Sequence, residues 1–195
     1  MPWMGWSAEG LEMTRNTALC ERNVTDAFKD AFRAHPAGVA IITADGGSGP
    51  VGLTASSVSS VSAEPPILSF SLASTHGTAG VIAASETVVV HLLGSENAGL
   101  AALFARQGAD RFGSTRTRTL PGGEPLLEEA PVALRCRIDG RIPVGSSILI
   151  AATVLEILPG STEQEPLVYH NRTYHRLGGH SVLGQAGSVA PGSGQ

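Results

Sequence analysis

The chain has 195 residues, 42% hydrophobic and 15% charged, a balance that suits one globular body with a sizeable core. Its 13 Lys+Arg against 17 Asp+Glu give a formal net charge of −4, and no window gathers the basic residues into a stripe, which argues against a nucleic-acid partner. The longest apolar runs, such as SILIAATVLEIL, are too short to span a bilayer; no basic segment with an apolar core opens the chain; and Cys20 and Cys136 form no CxxC pair. These features lead us to expect no membrane association and a cytoplasmic location.

In chain order, residues 1–22 carry Trp3 and Trp6 without clean periodicity and read as a flexible extension or an interface arm. In NVTDAFKDAFRAHPAG, Ala27, Phe28, Ala31 and Phe32 fall at helical spacing behind a Thr25 cap, and Pro36 ends the helix. GVAIITA then reads as a buried strand, DGGSGP as a turn and VGLTASSV as the returning strand of a hairpin. ILSFSL alternates Leu68, Phe70 and Leu72 against Ile67, Ser69 and Ser71, so one face is apolar while the other offers hydroxyls. STHGTAGVIAAS predicts a short helix capped by Ser74 or Thr75, TVVVHLL a strand, and SENAGLAALFARQ a helix capped at Ser95. Residues 107–127 read as a long surface loop. APVALRCRIDGRI, SSILIAATVLEILP and PLVYHNRTYHRL complete a set of at least six strands, which implies a closed or nearly closed β-barrel spanning residues 23–177. Residues 178–195 have the composition of a flexible tail.

GLTASSVSSVSAEPPILSFSL, residues 52–72, holds eight hydroxyl side chains and no Lys or Arg. Serines and threonines commonly cover the polar face of a half-buried strand, and that reading needs no ligand. Here, however, Thr54, Ser56, Ser57, Ser59, Ser60 and Ser62 fall where strand gives way to loop, so small side chains let a flat ligand approach the backbone. A polar heteroaromatic ring needs neutral donors and acceptors at its edge and apolar atoms under its faces, for which Ala55, Leu72 and Ala73 are candidates. A phosphate on such a ring suits Ser74, His76 and Thr78 at a helix start, with Arg106 and Arg111 as the nearest cations in the chain.

Taken in order, FKDAFRAHPAGVAIITA, GPVGLTASSVSSVSAEPP, ILSFSLASTHGTAGVI, FARQGADRF, LRCRI and PLVYHNRTYHRL resemble the flavin reductase-like, FMN-binding split-barrel family, which includes the reductase components of two-component flavin monooxygenases. The resemblance covers roughly residues 24–177 and is most specific at the Gly-x-Thr-Ala-Ser-Ser run. It implies a mainly β split barrel with a few short helices. It also implies an NAD(P)H:flavin oxidoreductase, with FMN or FAD bound and NADH or NADPH as transient donor, a homodimer, and a partner monooxygenase. Position by position, Thr54, Ala55, Ser56 and Ser57 match the segment around the isoalloxazine, and Ser71, Leu72 and Ala73 the strand beside it. His76, Gly77 and Thr78 sit where members usually have Ser-x-Thr, so the resemblance makes Thr78 and the helix start the phosphate anchor, with His76 a variant that adds charge, and Arg111 and Phe112 match a segment that reaches the flavin.

One departure bears on mechanism. Many members carry Gly-Asp-His before the strand that here reads SSILIAA, whereas this chain has Val144, Gly145 and Ser146. Serine does not titrate near neutrality as His does, so a flavin-binding protein without efficient reductase activity is the alternative. His170, His175 and His180 recur every five residues, but on one extended strand that spacing alternates faces, so no metal site is expected. A haem reading would require His91, His170 or His175 as ligand. Cys136, in an alternating strand, reads as a core side chain.

Overall fold

The computed structural model describes residues 23–160 and 163–183. The expected arm at 1–22 and most of the expected C-terminal tail lie outside the described residues; within that tail, Gly179–Ser181 form a 3-10 turn.

The core element is one antiparallel sheet of seven strands in the order β3-β2-β6-β9-β10-β5-β4. They are β2 (Ala40–Asp45), β3 (Pro50–Ala55), β4 (Ser59–Ala63), β5 (Pro66–Leu72), β6 (Thr87–Leu92), β9 (Val132–Val144) and β10 (Ser147–Pro159). Three helices, α1 (Val24–Arg33), α2 (Gly77–Ala84) and α3 (Ala98–Ala105), are described with it. The mainly β, split-barrel reading holds, and the sheet is nearly but not fully closed. The edge strands β3 and β4 are consecutive in the chain, and they hydrogen-bond to β2 and β5 rather than to each other, so the barrel is split there.

Period-two patterning builds the interior. Ala40, Ile42 and Ala44 of β2, Leu68, Phe70 and Leu72 of β5, Val88 and Val90 of β6, and Cys136 and Ile150 form one buried cluster. Complete burial of a side chain such as Phe70 stabilises by about 1.5–3 kcal/mol. The opposite face of β2 and β6 carries Ile41, Thr43, Val89 and His91, also buried. α3 and the segment after it cover Ile41, with Phe104 and Leu127 in the same cluster.

Several local expectations need correction. α1 is capped by Asn23, whose Oδ1 accepts from the Thr25 N–H at 3.0 Å; Thr25 itself is the second helical residue. No residue of α1 is buried, and Phe28 and Phe32 remain about 60% exposed. Ser95 opens a 3-10 turn, Ser95–Asn97, and the Asn97 side chain caps it by accepting from Gly94 N at 3.0 Å. The segment 107–127 is not simply a surface loop: it contains the hairpin β7 (Thr117–Thr119) and β8 (Pro125–Leu127), and β8 is wholly buried. Two polar contacts make that burial tolerable: Thr43 Oγ1 donates to the Pro125 carbonyl at 2.6 Å, and Leu127 N donates to His91 Nε2 at 2.9 Å. Lastly, PLVYHNRTYHRL is a hairpin rather than one strand. β11 (Leu167–His170) and β12 (Thr173–Arg176) pair antiparallel, and β11 also pairs with the short β1 (Ala37–Gly38).

Candidate functional site

The split positions the hydroxyl-rich segment. β3 ends at Ala55 and β4 begins at Ser59, so Ser56, Ser57 and Val58 bridge the two edges of the sheet. Ser57 fastens the bridge to β5: its Oγ accepts from Ser71 N at 3.0 Å and donates to the Ser71 carbonyl at 3.2 Å. Thr54 Oγ1 donates to the Ala101 carbonyl of α3 at 2.7 Å. These two hydroxyls hold backbone in place.

Ser56, Ser57, Ser59 and Ser71 line one groove of about 810 Å³. Its remaining lining comes from Lys29, Phe32 and Arg33 of α1, from 35–38, and from Val58, Tyr169 and Arg172. Ala55 and Leu72, expected beneath a flat ring, are 7% and 1% exposed and sit in the barrel core, so they offer a ligand no side-chain surface. Phe32, Pro36 and Val58 supply the apolar wall instead, while Ala73 is exposed at the end of β5.

A second set of expected residues gathers at the start of α2. His76 is the N-cap but makes no side-chain cap bond, so the expected cap by Ser74 or Thr75 is not formed. Ser74 Oγ instead accepts from His76 N at 3.0 Å and shapes the turn, and Gly77 has a φ of +58°, which glycine adopts without strain. First-turn amides without a side-chain cap are open to an external acceptor. Arg111 reaches this turn: Nη1 donates to Thr78 Oγ1 at 3.3 Å and Nη2 to the Arg106 carbonyl at 2.7 Å. Its Nε is buried without a hydrogen-bond partner. An orphaned guanidinium N–H, a hydroxyl and a helix start form a donor set that suits a phosphate or similar anion. Phe112 turns inward, edge-on to Phe104 with centroids 5.3 Å apart, and anchors the loop that carries Arg111.

The histidines separate by environment. His91 is fully buried; Nε2 accepts from Leu127 N and Nδ1 lies 3.1 Å from the Ile41 carbonyl, so the proton sits on Nδ1. Burial lowers its pKa from 6.5 to about 4, outweighing the Ile41 contact. With both nitrogens engaged, His91 is a structural residue rather than a haem ligand. His170 and His175 do not alternate faces of one strand as expected, because Asn171–Arg172 is a turn; their rings lie 5.7 Å apart on adjacent strands. Among the described residues no three His, Cys, Asp or Glu side chains gather as a metal cluster. Cys136 is buried, and desolvation raises its thiol pKa to about 12, which fits the core reading. Ser146 is exposed, in the two-residue turn Gly145–Ser146 that joins β9 to β10.

Lys29, Arg33 and Arg172 were not singled out from the sequence. For the first two a signal existed, cations at i and i+4 flanking Phe32; for Arg172 it was the turn-forming Asn before it.

Residues 32–178 match the flavin reductase like domain model. An NADH:FMN oxidoreductase from Rhodococcus qingshengii is 40% identical over 165 residues, covering 83% of this chain and 84% of the relative. The chain belongs to the flavin reductase-like family. Among solved structures, a flavin reductase domain protein from Arthrobacter sp. FB24 superposes with TM-score 0.74 at 35% identity, covering 78% of this chain and 95% of that one. The flavin reductase HpaC complexed with NADP+ also superposes with TM-score 0.74, at 28% identity, covering 81% and 99%. The family's split barrel is thus the fold seen here, open between β3 and β4.

Proposed function

We propose that this flavin reductase-like protein is an NADH-dependent FMN reductase. The observation that carries the reading is Arg111, with one N–H on Thr78 and its buried Nε unpartnered beside the start of α2. That arrangement suits the phosphate of FMN, and the flavin ring edge would meet the Ser56 and Ser71 hydroxyls and the backbone of the bridging segment. Flavin held there would supply the redox chemistry, with N5 as the position that takes hydride from NADH. The chain's own residues would hold the ring in the groove, which is wide enough at about 810 Å³ to admit a donor beside it. Transfer of this kind needs stacking and distance more than a proton-carrying side chain, so Ser146 in place of His is compatible with it. NADPH as donor and FAD as flavin are the finer variants. The name of the Rhodococcus relative favours NADH and FMN.

The chain is proposed to work as a homodimer in the cytoplasm and to pass reduced flavin to a partner monooxygenase. The dimer reading is supported by exposed apolar side chains beside the groove. Ile142 and Leu149 pair across β9 and β10, Leu149 pairs with Ser71, and Ile142 and Val144 are more than half exposed. The decisive experiment is anaerobic spectroscopy of purified protein with FMN, then NADH or NADPH. Bleaching of the flavin band well above the rate for free flavin establishes the activity. A shifted flavin band that neither nucleotide bleaches supports the second reading, a flavin-binding protein without reductase activity, which Ser146 favours. In that case Ser146→His tests whether the position is what limits turnover.

A further inference from the structure

The hydroxyl-lined groove has a charged rim that flavin binding as proposed does not use. Lys29, Arg33 and Arg172 line it, and no Asp or Glu does. In a chain with 17 acidic and 13 basic residues, this local excess of positive charge stands out against the net charge. Lys29 and Arg33 each have a helical acidic neighbour, Asp26 at 3.2 Å and Asp30 at 3.0 Å, in exposed pairs of small energetic weight. Arg172 forms no ion pair with another of the described residues.

Arg172 is also held in an unusual backbone. Asn171 and Arg172 form the two-residue β11–β12 turn with φ of +49° and +62°, the mirror-image hairpin turn in which Asn then Gly is the favoured pair. Arginine at the glycine position carries strain that glycine would not, and strain kept beside a cavity points to a use for the side chain. The turn is tied to the helix that bears the other two cations, since Asn171 N donates to the Arg33 carbonyl at 3.0 Å. Three cations on two elements are thereby held as one rim.

We infer that this rim binds the phosphates of the dinucleotide donor, and that Arg172 is the residue that sets donor affinity. The inference rests on the reductase reading above. The flavin phosphate has its own donor set at Arg111 and Thr78, so the rim is free for a second anion. The pyrophosphate of a nicotinamide dinucleotide is a dianion attached to a ring that must lie over the flavin. A positively charged groove whose hydroxyl wall receives the flavin ring provides for both.

The test uses Arg172→Gly, which relieves the turn and so is expected to fold at least as well as the parent, with Arg172→Lys beside it. With FMN saturating, R172G is expected to raise KM for NADH about tenfold, roughly the loss of one charge-assisted contact, with kcat changing far less. R172K should recover part of it. FMN affinity, read by fluorescence quenching, should stay at the parent value, and the rise of KM with ionic strength should flatten in R172G. An unchanged KM in R172G, with the parent protein turning over, overturns the inference and leaves the reductase reading intact. Weakened FMN binding with unchanged KM also overturns it, by assigning the rim to the flavin phosphate. If the parent protein oxidises neither NADH nor NADPH in the presence of FMN, the reductase reading fails and the inference falls with it.

Discussion

Arg111 and Thr78 lie 33 residues apart in sequence, yet the Arg111 guanidinium donates to the Thr78 hydroxyl at 3.3 Å and joins the loop after α3 to the start of α2. The contact leaves Nε buried and unpartnered, an arrangement that costs free energy unless a further acceptor arrives. Replacing Arg111 with Ala removes both the charge and the orphaned donor. Hydrogen bonds to charged groups contribute about 1.5–3 kcal/mol, so the Kd for FMN should rise roughly ten- to a hundredfold. Fluorescence titration of FMN measures this, and Arg111→Lys, which keeps the charge but not the fork of donors, should fall between. FMN binding undiminished in both variants would place the phosphate elsewhere.

The same loop depends on a contact far from any ligand. Gly52 in β3 faces Phe104, and a Cβ there would sit 2.8 Å from Phe104 Cε1. Phe104 in turn stacks edge-on with Phe112, the neighbour of Arg111. Gly52→Ala therefore has to move the ring pair or strand β3, an overpacking cost of about 1–3 kcal/mol. The expected outcome is a lower denaturation midpoint together with weaker FMN binding, although residue 52 touches neither groove nor anion. A stability loss without any change in FMN affinity would show that Phe112 does not position Arg111.

How much of this was legible beforehand differs by residue. The alternation of Leu68, Phe70 and Leu72 against Ser69 and Ser71 gave the strand, its inward face and the hydroxyls of the groove, because a period of two leaves little freedom once one face is buried. Thr78 and Arg111 were both expected at the anion end, but their mutual contact depends on the path of a loop, and local pattern does not encode that path. Leu72 was expected under the ligand although the same alternation sends it into the core, and Ala55 at the end of β3 joins the same buried cluster. The burial of β8 was missed because Glu124, Pro125, Leu126 and Leu127 follow two glycines and look like loop. What holds them inside is a long-range pair of polar contacts from Thr43 and His91. The hairpin at Asn171–Arg172 was not legible because Arg is a poor choice for its second position, where the backbone has φ +62°.

His91 should make stability depend on pH. Its pKa is about 4 in the folded protein and near 6.5 in the unfolded chain, so between these values the unfolded state binds more protons. Stability from this group is complete above pH 6.5 and is lost as pH falls towards 4. The full window of 2.5 units corresponds to about 3 kcal/mol. Protonation also removes the acceptor of Leu127 N and so releases β8. Denaturant midpoints measured at pH 7, 6, 5 and 4.5 should decline through that range. Asp139, whose pKa is lowered chiefly by its Thr153 and Arg137 hydrogen bonds, acts only at lower pH. His91→Gln, which can keep an acceptor and a donor but does not titrate, should be less stable at pH 7 yet show a flatter profile. An equally steep profile in that variant would assign the dependence to other groups.

Ser57 and Ser71 supply the most local test of how the split is held. One hydroxyl serves both the N–H and the carbonyl of Ser71, where β5 would otherwise present unpaired backbone beside the open edge of β4. Ser57→Ala leaves both groups to solvent at an exposed site, so the stability cost is modest, about 0.5–1.5 kcal/mol. The effect on binding should be larger than that loss suggests, because Ser56, Ser57 and Ser59 enter the groove from the segment that this hydroxyl pins. FMN affinity is expected to drop several-fold, and amide hydrogen exchange at 56–59 and at Ser71 should quicken while exchange in β2 and β6 stays slow. Ser57→Thr, which retains the hydroxyl, should restore slow exchange if its extra methyl is accommodated. Uniform quickening across the sheet in S57A would mean that the contact supports the whole barrel rather than the bridge across its split.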